Sequence, residues 1–142
     1  MVSRRNFIKS GCAACLGLAG GSLLLESCAA QLPMWKATPD AQQLLRVPVD
    51  QFAEGQTMVV VRANTLENDI LLRKVGNDYI ALYLHCTHEG MGLIPTADRI
   101  YCNAHGSVFD LDGEVVREPA ATPLKRFNTV VENQEIQIQL TS

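Results

Sequence analysis

Little in this chain points toward nucleic acid, a helical core or a self-contained catalytic pocket. No basic run is present and the formal charge is −3, so the electrostatic footprint of a nucleic-acid binder is missing. No internal repeat or low-complexity tract is found, which excludes solenoids and arrays. After residue 27 no long stretch has the apolar period of an amphipathic helix. No catalytic triad and no glycine-rich phosphate loop can be assembled, so the chain is not expected to be catalytic alone. No apolar run reaches the roughly 20 residues of a spanning helix. The 142 residues suffice for one modest domain with one core.

What is present begins with an address. Arg4 and Arg5 stand inside Ser3-Arg4-Arg5-Asn6-Phe7-Ile8-Lys9, ahead of an apolar, glycine-rich run from Gly11 to Leu25. A cationic start followed by a short apolar segment reads as a twin-arginine export signal over residues 1–27. Leu25-Glu26-Ser27-Cys28 resembles a bacterial lipoprotein cleavage site, although Glu26 stands where a small or apolar residue is usual. Attachment to the membrane through lipid on Cys28 is therefore expected, with an uncleaved signal helix as the rival. Either arrangement puts the domain on the periplasmic, extracytoplasmic side. Cys12 and Cys15 form a C-x-x-C spacing but fall within the signal. Residues 28–43, with Pro33 and Pro39 and no apolar period, are expected to be a tether.

From Leu44 to the end at residue 142 the pattern is that of strands. Leu44–Val49 is a candidate edge strand, because Pro48 cannot donate to a ladder. Thr57–Ala63 and Asp69–Val75 follow, then a turn at Gly76-Asn77-Asp78 and a strand over Tyr79–Cys86. Ser107–Arg117 reads as a hairpin about Asp112-Gly113. Near the end, Ile136, Ile138 and Leu140 alternate with Glu135, Gln137 and Gln139, the period of a half-buried strand. Several short strands at close spacing predict an all-β antiparallel sandwich or small barrel.

The chemistry is concentrated between Cys86 and Ser107. Cys86-Thr87-His88 is C-x-H and Cys102-Asn103-Ala104-His105 is C-x-x-H, each following a candidate strand and entering a loop. Thiolate and imidazole together suit zinc or iron–sulfur chemistry. A structural zinc site needs four such ligands, but its usual spacing places two cysteines close together and then two histidines. A Cys–His nucleophilic couple explains one pair and leaves the other idle. A [2Fe–2S] cluster with one iron on two cysteines and the other on two histidines uses all four. His85 adjoins Cys86 on an extended segment, so it points to the opposite face and reads as a strand or surface histidine. Gly90, Gly92 and Gly106 are candidates for close approach of backbone N–H groups to a cluster.

Cys86-Thr87-His88, Gly90, Cys102, His105-Gly106-Ser107, the Phe109–Val116 hairpin and Glu118–Leu124 together resemble the Rieske iron–sulfur protein family, over about Leu44 to Leu140. The resemblance implies an all-β fold with a cluster-binding subdomain of two loops at one tip. It implies that Cys86 and Cys102 hold a buried iron of a Rieske-type [2Fe–2S] cluster, and His88 and His105 the outer iron. One-electron transfer through the exposed imidazoles then follows. Members in respiratory cytochrome bc complexes usually carry one further cysteine in each loop, paired as a disulfide; here those places hold Met91 and Ala104. Such members also tune the cluster with a serine and a tyrosine hydroxyl. The serine place is Ser107 and the tyrosine place is Phe109, which has no hydroxyl. With hydrogen bonds to the cluster sulfurs favouring the reduced state, one lost hydroxyl implies a potential below the upper third of the Rieske span.

The expected function is therefore electron transfer by a membrane-tethered extracytoplasmic carrier or accessory subunit, partnered by a cytochrome, another oxidoreductase or a quinol. The alternatives are the Rieske subunit of a quinol–cytochrome c oxidoreductase and the electron-transfer subunit of a periplasmic molybdenum-type oxidoreductase. From a different class, a zinc-stabilised binding module stays open.

Overall fold

Short apolar runs form the strands that position the site, some alternating and some, such as Met58–Val61 and Ile70–Leu72, buried without a break. The computed structural model describes residues 31–53 and 55–141; Arg4, Arg5, Cys12, Cys15 and Cys28 lie outside them. In order the strands are β1 (Met34–Ala37), β2 (Leu44–Pro48), β3 (Met58–Ala63), β4 (Ile70–Val75), β5 (Asp78–Tyr83), β6 (Ile94–Pro95), β7 (Ile100–Tyr101), β8 (Val108–Phe109), β9 (Val115–Arg117), β10 (Arg126–Glu132) and β11 (Glu135–Gln139). Among the described residues the one helical segment is a 3-10 turn at Val49–Phe52, and no helix is long and apolar enough to cross a membrane. The all-β expectation holds.

Seven strands form one sheet in the order β1-β3-β4-β5-β10-β11-β2. All its pairs are antiparallel except β1 with β3, which run parallel in the register Met34 to Val60 through Ala37 to Ala63. Its two outer strands come together where the Trp35 indole on β1 donates to the Arg46 carbonyl on β2, 3.2 Å away, so the sheet is nearly closed into a barrel. Leu45, Val47, Val59, Val61, Ile70, Leu72, Ile136 and Ile138 fill it, each fully buried. Pro48 lies at the end of β2, whose other edge has no ladder partner.

The tether expected over residues 28–43 needs correction. The compact unit begins at Gln31, and residues 34–37 are a strand rather than a free spacer. Two inward residues, Trp35 and Ala37, pack on the barrel core. Two such residues are too few to register as a period.

The second sheet has four short strands in the order β6-β7-β8-β9. A second core of buried residues joins it to the barrel: Leu71 and Leu82 from the large sheet, Ile100 and Phe109 from the small one, and Cys86 and Cys102 among them. Arg73 on β4 adds a polar link, donating to the Leu111 carbonyl at 2.6 Å and to Asp112 at 2.7 Å.

Candidate metal centre

Two loops carry the site. The first leaves β5 and runs through Leu84–Leu93 into β6; the second joins β7 to β8 through Cys102–Ser107. Their backbones repeat one another. In the first, the Cys86 N–H donates to the Met91 carbonyl (2.8 Å) and the Gly90 N–H donates back to the Cys86 carbonyl (2.7 Å). In the second, the Cys102 N–H donates to the Ser107 carbonyl (2.9 Å) and the Gly106 N–H returns to the Cys102 carbonyl (3.0 Å). The offsets from each cysteine are identical. Each turn closes on a glycine in the left-handed region, Gly90 at φ +72° and Gly106 at φ +83°, a conformation that costs other residues.

This geometry corrects one expectation. The N–H groups of Gly90 and Gly106 are spent inside their own turns and are not free to reach a cluster; these glycines are there for their φ. Gly92 has no positive φ, and its reason lies in the space beside it: a Cβ there would stand 2.8 Å from the Asn68 side-chain oxygen.

The four expected ligands divide by burial. Cys86 and Cys102 are buried at 1% and 2% exposure, and both thiols are free. His88 and His105 are exposed, with ring centroids 5.0 Å apart and planes at 87°. Each loop therefore supplies one interior sulfur and one surface imidazole. A closed zinc site places its four donors around one ion. Here the donor atoms of His88, Glu89 and His105 fall within 4.8 Å of one another, while the cysteines do not join that group. Two thiols inside and two imidazoles outside fit a two-metal cluster.

Around these residues the structure adds partners that the sequence did not mark. The Glu89 carboxylate lies 3.5 Å from His105 Nδ1. The Thr87 hydroxyl donates to the Thr122 carbonyl at 2.7 Å, and the Ala120 N–H donates to the Ser107 hydroxyl oxygen at 2.9 Å, so the Glu118–Leu124 segment ties down both loops. Arg117 Nε donates to the Gly106 carbonyl at 2.8 Å. Ser107 is fully buried, and Phe109 is fully buried in the core that holds both thiols. Met91, 48% exposed, and the exposed Ala104 stand where a disulfide pair would be and form none. His85 is half-buried, its ring stacked on Tyr83 at 5.1 Å with an interplanar angle of 1°, and it is not among the grouped donors. Arg117 and Asn68 lie on separate segments and carry no spacing signal, which is why only the fold gathers them.

The all-β fold and a donor set of two buried thiols and two exposed imidazoles suit a cluster-binding protein. The Rieske [2Fe-2S] domain model matches residues 41–128, and the chain belongs to that family; the cofactor is a Rieske-type [2Fe–2S] cluster. The zinc-module alternative is thereby overturned. Among curated proteins the chain is 32% identical over 124 residues to cytochrome b6-f complex iron-sulfur subunit 3 of Nostoc sp. (strain PCC 7120), covering 84% of this chain and 63% of that protein. It is 27% identical over 72 residues to the cytochrome b6-f complex iron-sulfur subunit of Chlorobaculum thiosulfatiphilum, covering 49% of this chain and 40% of that one. The chain thus spans less than two thirds of the length of these relatives. Among solved structures, the cyanobacterial plasma membrane Rieske protein of Synechocystis PCC 6803 superposes with a TM-score of 0.54 at 22% identity, over 66% of this chain and 97% of that one. A chain from the complex of reduced oxygenase and oxidised ferredoxin in carbazole 1,9a-dioxygenase gives 0.51 at 24%, over 69% and 94%. Both bear on the fold.

Proposed function

We propose that this chain is a one-electron carrier tethered on the extracytoplasmic side of a membrane, with Cys86 and Cys102 holding the inner iron and His88 and His105 the outer one. The observation that carries the reading is the pairing of a buried thiol with an exposed imidazole on each of two matched loops. The bound cluster supplies a one-electron oxidation and reduction. The protein's part is to bury the sulfur ligands among Leu71, Leu82, Ile100 and Phe109, away from water. It also presents His88 and His105 at the surface, where a partner can touch the rings. Replacing either histidine by alanine tests the assignment: the iron–sulfur absorption should be lost or altered while far-UV circular dichroism keeps its strand signal. An unchanged spectrum in both variants refutes it.

Location rests on Arg4, Arg5 and Cys28. Substituting both arginines by lysine should leave the precursor in the cytoplasm, and a labelled lipid precursor should mark the wild type but not Cys28→Ser. Equal labelling of both proteins defeats the lipid anchor and leaves the uncleaved helix.

A second reading is supported by the names of the curated relatives, which are subunits of cytochrome b6-f complexes: this chain serves a quinol–cytochrome oxidoreductase. Against a high-potential role stand Met91 and Ala104, where no cysteine pair can form, and Phe109, which has no hydroxyl. A carrier or accessory subunit, including one that serves a molybdenum-type oxidoreductase, accommodates all three. Copurification from membranes separates these readings: a cytochrome b partner supports the second and a different oxidoreductase the first.

A further inference from the structure

Among the described residues no disulfide clamps the first loop, since Cys86 and Cys102 are both free and Met91 is exposed. The turn between β3 and β4 supplies a different restraint. The Asn68 side-chain nitrogen lies 2.9 Å from His85 Nδ1 and 3.4 Å from the Gly90 carbonyl oxygen. The reverse amide orientation would set one oxygen against another at Gly90, so the nitrogen faces this way. An amide nitrogen only donates, so in this contact His85 Nδ1 is the acceptor. The amide oxygen occupies the place a Gly92 Cβ would need, at 2.8 Å, and the His85 ring occupies the place a Gly90 Cβ would need, at 3.0 Å. Stacking on Tyr83 fixes the ring in turn. One side chain from outside the loop therefore meets it at three residues, His85, Gly90 and Gly92, on either side of His88 and Glu89.

We propose that Asn68 is a positioning residue for the cluster: through His85, Gly90 and Gly92 it fixes the loop that carries Cys86 and His88. The proposal rests on the assignment of those two residues as ligands. It also gives His85 and Gly92 their reasons: one is a wedge between Asn68 and Gly90, and the other is a gap that admits Asn68.

The test uses the full chain with its cluster and compares wild type, Asn68→Ala, Gly92→Ala and the double variant. Hydrogen exchange of the loop 84–93 should quicken about tenfold in Asn68→Ala, the scale of one or two lost hydrogen bonds. The second loop, 102–107, and strands β3 to β5 should keep their protection. Release of the cluster to a chelator should quicken by a similar factor. Gly92→Ala should produce the same loosening by displacing the amide, yet add almost nothing in the Asn68→Ala background, where the methyl group has room. Exchange of the first loop unchanged in Asn68→Ala, or a Gly92→Ala effect that is undiminished in the double variant, overturns the proposal. A wild type with no iron–sulfur absorption instead defeats the cluster assignment, and the exchange comparison between the variants still decides whether Asn68 fixes the loop.

Discussion

Two fully buried residues, Ser107 and Phe109, are proposed to set how strongly the site holds an electron. Ser107 accepts a hydrogen bond from the Ala120 N–H, which leaves its own hydrogen to donate, and it lies directly after the glycine turn of the second loop. Ser107→Ala should lower the midpoint potential. One hydrogen bond is worth about 1 kcal/mol, which at 59 mV per 1.4 kcal/mol is on the order of 40 mV. The same variant strands the Ala120 N–H in a buried setting and so should also lose stability. Phe109 lies in the core that contains both thiols and offers no donor. Phe109→Tyr should raise the potential by a similar amount; no rise, or a fall, defeats the hydroxyl account. Both variants are read by redox titration. The proposed ligands were legible in the sequence, because one Cys and one His stand in each of two short clusters; Ser107 and Phe109 were reached only through the family resemblance. Asn68 and Arg117 were not legible, because their contacts come from distance in the fold and not from spacing in the chain; Thr87 stood in its motif, but its bond to Thr122 did not show there.

Strands and turns show where periodicity carries information and where it stops. β11 was readable from alternation alone: Ile136 and Ile138 are fully buried while their neighbours are half-exposed. β1 was not, because its parallel pairing to β3 depends on a strand far along the chain. The hairpin at Asp112-Gly113 was also legible, and its glycine is required twice over. Its φ is +85°, and a Cβ would meet Leu82 at 3.0 Å and Leu124 at 3.3 Å. Gly113→Ala should cost about 2 kcal/mol from the left-handed backbone and the crowding, lowering the melting temperature by several degrees; an unchanged melt contradicts the close approach. At the entry to β2, the Leu44 N–H holds the Asp40 carboxyl below the ordinary carboxylate range, aided by Arg46 and the Gln42 N–H. A depressed acid stabilises the fold when ionised, so its contribution is present above the ordinary range and lost as pH falls below about 4. Wild type should therefore lose melting temperature more steeply in acid than Asp40→Asn. Equal slopes remove the cap from the account.

Across the whole molecule, the barrel and the small sheet act as a stand that raises two loops and leaves two imidazoles at the surface. The long sheet supplies one wall of the core around the thiols, and the four short strands supply the other. The four cysteine and histidine side chains come from one stretch, Cys86–His105, but the core around the two thiols draws on both sheets. The most direct check is a redox titration of the purified chain followed by electron paramagnetic resonance. Ligation by two histidines and two cysteines, with Phe109 in place of a hydroxyl donor, predicts a one-electron step between about −150 and about +150 mV, within the lower two thirds of the Rieske span. A step near the top of the Rieske span, a step near the −400 mV typical of all-cysteine plant-type clusters, or no step at all, would contradict it.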